Sequence, residues 1–240
     1  MGVTLAIRWP GQPGGRYIDD FVNLMDLAPT FMEIGGAQIP EGVNGKSIVS
    51  LMKSGKSGQI EKERDYVITG RERHVSIARE GNLPYPQRAL RKDGFLYIHN
   101  FEPERMPMGD YKQLTDSFTP SQDDLENETY VAFPDMDASP AKAWLIQHHN
   151  DSQYKWHFDY AFAKRPEEEL YDLSKDPSQT INVAGEAAYA DVKNQMAAEL
   201  LAKLKAVGDP RVTADPVPFE TAPYTQDTKT NAKKGKGKNK

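Results

Sequence analysis

Thr69–His74 reads TGRERH, placing three potential cations and one carboxylate in four consecutive positions directly after the apolar run DYVIT (65–69). In α/β folds ligands gather where strands run out into loops. The planar guanidinium fork matches carboxylate, phosphate and sulfate oxygens, and histidine adds a donor or a proton-transfer group. Arg71, Arg73 and His74 are therefore candidates for gripping an oxyanion. Glu72 is placed to accept from a hydroxyl or to orient an arginine. The bland reading of the same residues is a surface charge cluster with one Arg–Glu pair, which contributes little. Arg88 follows two stiffening prolines in PYPQRAL and is a further candidate.

Other chemistry is scarce. The chain has no cysteine, which excludes disulfides, thiolate metal sites and a cysteine nucleophile. No GxSxG elbow, HExxH helix, phosphate loop or dinucleotide fingerprint occurs. His148, His149 and His157 surround a tryptophan-rich segment at spacings that match no metal motif. His99 inside FLYIHN reads as structural. Thr115–Pro140 holds seven Asp or Glu and no Lys or Arg. It lacks the EF-hand spacing and glycine, so a solvated surface loop is expected there. The residues alone point to an anion-binding cluster without a catalytic engine.

The elements that must carry this cluster are partly legible. Val3–Trp9 (VTLAIRW) has the composition of a buried strand, ended by Pro10 and Gly11. Phe21–Leu24 reads as a short extended piece. A helix should follow Asp26, with Pro29 in its first turn and Gly35–Gly36 closing it; Ser47–Lys53 adds one or two helical turns. Asp65–Thr69 is a strand. Arg88–Leu90 and Phe95–Asn100 flank Lys92-Asp93-Gly94, an antiparallel hairpin signal. Glu168–Leu173 is a further strand. Across Ala187–Val207 the apolar residues Val192, Met196, Leu200, Leu201 and Leu204 describe an amphipathic helix.

Bulk properties set limits. Net charge is −5 over 240 residues and mean hydropathy is −0.70. Gln226–Lys240 carries six lysines and one aspartate, a local +5, so the other residues hold −10. That balance argues against a nucleic-acid binder. No apolar run approaches the ~20 residues of a membrane span, and Met1 does not open a secretory signal.

In chain order, VTLAIRWPG, DLAPTFMEIGG, TGRERH, YPQRAL, FLYIHNFEPERMP, DASPAKAW and ELYDLSKDP resemble the sulfatases. The heparan N-sulfatase (sulfamidase) branch, with its aromatic-Pro-x-Arg, HN and ELYD-x-S-x-DP segments, is the nearest in pattern over residues 2–206. The resemblance implies an alkaline-phosphatase-like α/β fold. Residues 1–64 would be a C-terminal remnant of the large α/β domain. Residues 65–207 would form a smaller antiparallel sheet with a C-terminal helix, and 208–240 a disordered lysine-rich tail.

In that family the larger N-terminal domain carries a formylglycine made from Cys or Ser in a C/S-x-P/A-x-R motif, acidic Ca2+ ligands and the catalytic Lys and His. This chain has neither the motif nor the acidic ligand motifs. The resemblance therefore implies Ca2+ for a full-length enzyme with its ligands outside this chain, and no catalytic or metal-ligating residue within it. VTLAIRW would be an inner strand whose neighbours lie upstream. Arg71, Glu72, Arg73, His74 and Arg88 become substrate-binding candidates for a sulfated glycan or other sulfated small molecule. The expected function is the C-terminal portion of a sulfatase hydrolysing sulfate esters or sulfamates of a glycan, inactive as this chain alone. The alternatives are a non-catalytic sulfated-glycan-binding module and a phosphatase or phosphodiesterase relative of the same superfamily. A secreted, periplasmic or lysosomal-like location is implied.

Overall fold

Four strands form one antiparallel sheet in sequential order: β1 (Tyr66–Arg71), β2 (Gln87–Lys92), β3 (Phe95–Asn100) and β4 (Glu168–Asp172). The structure is a computed structural model and describes residues 4–221. Strands β2 and β3 are joined by Asp93 and Gly94, both at positive φ (50° and 78°), as a tight two-residue hairpin requires. Ile68, Leu90, Tyr97 and Leu170 stand opposite one another across the sheet. That row packs under Met196, Leu200 and Leu204 of the long helix Ala190–Ala206. The i, i+4, i+8 spacing of those three places them on one stripe of the helix.

Shorter helices complete the mixed α/β architecture. In chain order they are α1 (Leu27–Ile34), α2 (Val49–Lys53), α3 (Gln122–Asn127), α4 (Pro140–Gln147), α5 (Lys155–Phe162), the long helix, here α6, and α7 (Pro210–Thr213). A second core joins residues 106–136 to α4 and α5, with Phe133 stacked on Phe162 at 4.2 Å. A third sits under α2 around Ile48, Val49, Leu51 and Met52.

Four expectations need correction. Residues 4–9 form no strand, and Leu5 and Ile7 are 44 % and 49 % exposed. A β-rich composition yields a strand only where an edge is available to pair with, and among the described residues none lies beside them. The acidic stretch 115–140 is not a solvated loop: Ser121 caps α3 through Asp124 N, and Val131, Ala132 and Phe133 are buried. Charge counted over the whole window hid an apolar tripeptide. The tail expected from 208 is folded through Glu220, with α7 and a 3-10 turn at Pro218–Glu220; its lysine-rich part, 222–240, lies outside the described residues. Phe21–Leu24 likewise gives way to a 3-10 turn at Leu24–Asp26 capped by Asn23.

Lys142 on α4 is fully buried and donates to Thr129 O and Met136 O, both at 2.8 Å. Burial pulls its ammonium down from an ordinary 10.5 to about 8, with Asp137 opposing. Between those values the unfolded chain holds the proton that the folded chain has lost. Stability therefore rises with pH from about 8 to 10.5 and is flat, for this group, below 8. In urea melts at pH 7.5, 9 and 10, wild type should gain roughly 2 kcal/mol on Lys142→Met across that window; a constant difference would contradict it.

Candidate functional site

Strand β1 ends on Gly70 and Arg71, so TGRERH begins inside the sheet and leaves it at Glu72. Gly70 faces Arg88 in the antiparallel register. A Cβ there would lie 2.8 Å from Arg88 Cδ, so glycine leaves the space through which the Arg88 side chain runs. Arg88 is buried and spends its guanidinium fully. It donates to Asp209 Oδ2 at 2.6 Å and Oδ1 at 3.1 Å, to Glu72 Oε1 at 2.8 Å, and to the Gln87 and Arg71 carbonyls. Glu72 also accepts from Nε and Nη2 of the buried Arg211. Arg211 reaches Glu220 at 2.5 Å, and Glu220 pairs with Arg105 at 2.9 Å. Three arginines and three carboxylates thus alternate from Asp209 to Arg105. Burial works against the Asp209 carboxylate most strongly, but the Arg88 hydrogen bonds, the Arg211 backbone N–H and the charges of both arginines together hold the acid below its ordinary range.

Arg71 has a different environment. Its guanidinium donates to the Pro107 carbonyl, meets Met108 Sδ at 3.9 Å and lies 5.2 Å from the centroid of the Tyr85 ring. Its Nε is buried without a partner, and among the described residues no carboxylate pairs with it within 4 Å. Burial lowers its proton affinity, with Asp135 opposing and Arg79 adding to the effect. Arg73 is half-buried and donates to Asn82 O at 3.4 Å. His74 is exposed, with Nδ1 3.3 Å from Asp135 O.

The five candidates therefore separate. Glu72 and Arg88 lock the base of the loop, while Arg71, Arg73 and His74 follow the strand end outside that lock. A cleft of about 410 Å³ runs along β1 between Asn23–Asp26 and the end of α6, and Thr69, Gly70 and Arg88 line it. Sequence reasoning missed Asp209, Arg211 and Glu220, which meet Glu72 and Arg88 only through the fold. It also gave no part to Arg79 or to Tyr85, although Tyr85 opens the YPQRAL segment. His99 packs edge-on against Phe101 at 4.4 Å. Trp144 stacks on His148 and Trp156 on His157. Among the described residues no group of three or more His, Asp or Glu is placed to hold a metal, so these residues do not fit a calcium cage.

Residues 1–74 match the family model described as N-sulphoglucosamine sulphohydrolase, C-terminal. Among curated proteins, an ulvan-active sulfatase of Formosa agariphila is 26 % identical over 211 residues, covering 87 % of this chain and 34 % of that protein. The extracellular sulfatase SULF-1 homolog of Drosophila melanogaster is 38 % identical over 52 residues, 22 % of this chain and 5 % of that protein. Among solved structures, BT4656 in complex with its substrate D-glucosamine-2-N,6-O-disulfate is similar at a TM-score of 0.43 and 16 % identity, covering 77 % of this chain and 24 % of that one. The chain spans about a third of the length of the ulvan-active sulfatase it matches, and what it resembles is the C-terminal portion of sulfatases.

Glu72→Gln leaves the shape of the locked base but removes the negative charge shared by two buried arginines. Breaking a buried pair from one side costs about 3–5 kcal/mol. The urea midpoint should fall accordingly; a loss under about 1 kcal/mol would show that the pair behaves as a surface ion pair.

Proposed function

We propose that this chain, similar to the C-terminal portion of sulfatases, supplies part of the substrate-recognition wall of a glycan sulfatase, with Arg71, Arg73 and His74 facing a sulfated sugar. The observation that carries this reading is the contrast between the two arginine environments. Arg88 is neutralised on both sides, whereas Arg71, at the strand end, has no carboxylate partner within 4 Å among the described residues. A guanidinium so placed favours an oxyanion ligand. Glu72 and Arg88 act as positioning residues that fix the loop. A relative named for ulvan and a solved relative bound to a disulfated glucosamine support a sulfated saccharide as the ligand class. A relative named as extracellular supports a location outside the cytoplasm. Whether the bond cleaved by the whole enzyme is a sulfate ester or a sulfamate, the same wall serves, because both present a tetrahedral sulfur with anionic oxygens.

The reaction itself needs groups these 240 residues do not contain. They hold no cysteine and no Ser-x-Pro-x-Arg or Ser-x-Ala-x-Arg, so no formylglycine can be made from them. The Ca2+ expected in the whole enzyme would be held by residues beyond those described here. A second reading, a non-catalytic sulfated-glycan-binding module, rests on the same Arg71 environment and differs only in what the chain is joined to.

On a heparin column the purified chain should elute at higher salt than the Arg71→Ala/Arg73→Ala variant. Deletion of residues 226–240 should leave most of that difference in place. Equal elution of the wild type and the double variant would reject the loop as the recognition element. The 240-residue chain should also show no turnover of an aryl sulfate with Ca2+ present; measurable hydrolysis would overturn the assignment of the nucleophile to another part of the enzyme.

A further inference from the structure

Trp144 and Trp156 stand at the surface, 41 % and 58 % exposed. They come from α4 and α5, whose inner stripes are already filled. Lys142, Ala143 and Ile146 are buried on α4, and Phe158 and Phe162, four residues apart on α5, complete the core beneath. The two indoles fall off those stripes and meet water. Large aromatic side chains left in a group at a surface mark an interaction site.

The indoles are held in place. Trp144 stacks on His148 at 4.5 Å, while Tyr154 at 5.2 Å and His157 at 5.7 Å meet it edge-on. His148 Nδ1 donates to Trp144 O at 2.8 Å. Trp156 stacks on His157 at 3.5 Å, and Tyr154 meets His148 at 5.5 Å. Five rings thus form one connected surface, and little side-chain freedom is left to lose on binding. His157 covers one face of Trp156, yet the indole is more than half exposed, so its other face is open to solvent. Neither indole Nε1 donates to a protein group among the described residues.

Size and chemistry decide what this surface fits. The two indoles together expose about one indole's worth of area, roughly 250 Å². Each side of a stable protein interface buries about 800 Å². The border is polar: Asn150, Asp151, Ser152 and Gln153 fill the exposed turn between α4 and α5, and Lys155 pairs with Asp159. A pyranose ring matches both features. The C–H groups of one face settle on an aromatic π face, and its hydroxyls accept from the free indole N–H groups.

We propose that Trp144 and Trp156, held by His148, Tyr154 and His157, form a stacking platform for the ring of a saccharide. The platform grips the sugar itself, a contact the recognition wall does not supply, and the choice of a sulfated saccharide as ligand rests on the reading of that wall. One segment braces both: Met108 meets Arg71 and also packs against the core beneath α4 and α5.

Calorimetric titration of the full 240-residue chain with a heparin hexasaccharide tests the platform. Trp156→Ala should weaken binding about tenfold, the worth of one stacked ring, and Trp156→Phe, which keeps a π face, should recover most of the loss. The exposed position of Trp156 leaves the urea midpoint unchanged. Because no charge is removed, the Trp156→Ala loss should be the same in about 0.05 and 0.2 M NaCl, whereas any loss in Arg71→Ala/Arg73→Ala should shrink with salt. Unchanged affinity in Trp156→Ala, no recovery in Trp156→Phe, or a loss that salt abolishes overturns the platform. Wild-type dimerisation in sedimentation that Trp156→Ala abolishes assigns the rings to a second copy and overturns it too. Weaker binding in Trp156→Ala with none lost in Arg71→Ala/Arg73→Ala keeps the platform and rejects the wall; the reverse result keeps the wall and rejects the platform. A wild type that binds no hexasaccharide rejects both.

Discussion

Two buried arginines that need a carboxylate each, and one glutamate placed to serve both, set the geometry of the strand end. Arg88 comes from the neighbouring strand and Arg211 from a helix 139 residues further along the chain than Glu72. A buried guanidinium left unpaired is expensive, so the segment carrying Asp209, Arg211 and Glu220 cannot leave the sheet without exposing or orphaning charge. The chain of pairs therefore ties β1, β2, the end of α6 and residues 209–220 into one body. It also removes Glu72 and Arg88 from the pool of groups that a ligand could use.

The same residue type has two fates within this small region. Arg88 and Arg211 are satisfied from several directions. Arg71 and Arg79 share a carbonyl, an aromatic ring and one carboxylate between them. The difference is supply of negative charge: three acids surround the first pair and its extension to Arg105, whereas Asp135 pairs with Arg79 and no carboxylate lies within 4 Å of the half-buried Arg71 among the described residues. A protein that wants a fixed fold neutralises its buried arginines; one that wants an anion leaves a deficit. Glu72 stands between the two environments, and the neutralised pair fixes the strand end from which Arg71 departs.

Much of the frame was legible in the sequence because local rules decide it. Asp93–Gly94 demanded a hairpin, the Met196–Leu200–Leu204 stripe demanded a helix over an apolar face, and Gly35 closed α1. The failures share one cause, context beyond the window being read. VTLAIRW has strand composition but no edge beside it in the described residues. Phe133 sits in an acidic neighbourhood and still anchors a core, because three apolar side chains suffice when α4 and α5 supply the other wall. In the candidate site, TGRERH announced charge but not its partners. Asp209 and Arg211 lie more than a hundred positions away, and no spacing rule connects them to Glu72.

This limits what a basic motif can establish by itself. Three charged residues and a histidine in a row are equally compatible with a solvated cluster, a structural lock and a ligand grip, since each uses the same guanidinium chemistry. What separates the three is the count of carboxylates that the fold delivers to each cation. Glu72, centre of the motif by sequence, is structurally its anchor. Arg71, one position earlier, faces the other way along the strand end, toward Pro107, Met108 and Tyr85, where the nearby Asp135 pairs with Arg79 instead. The direction in which one residue leaves the sheet thus separates a lock on one side from an arginine without a carboxylate partner within 4 Å among the described residues on the other.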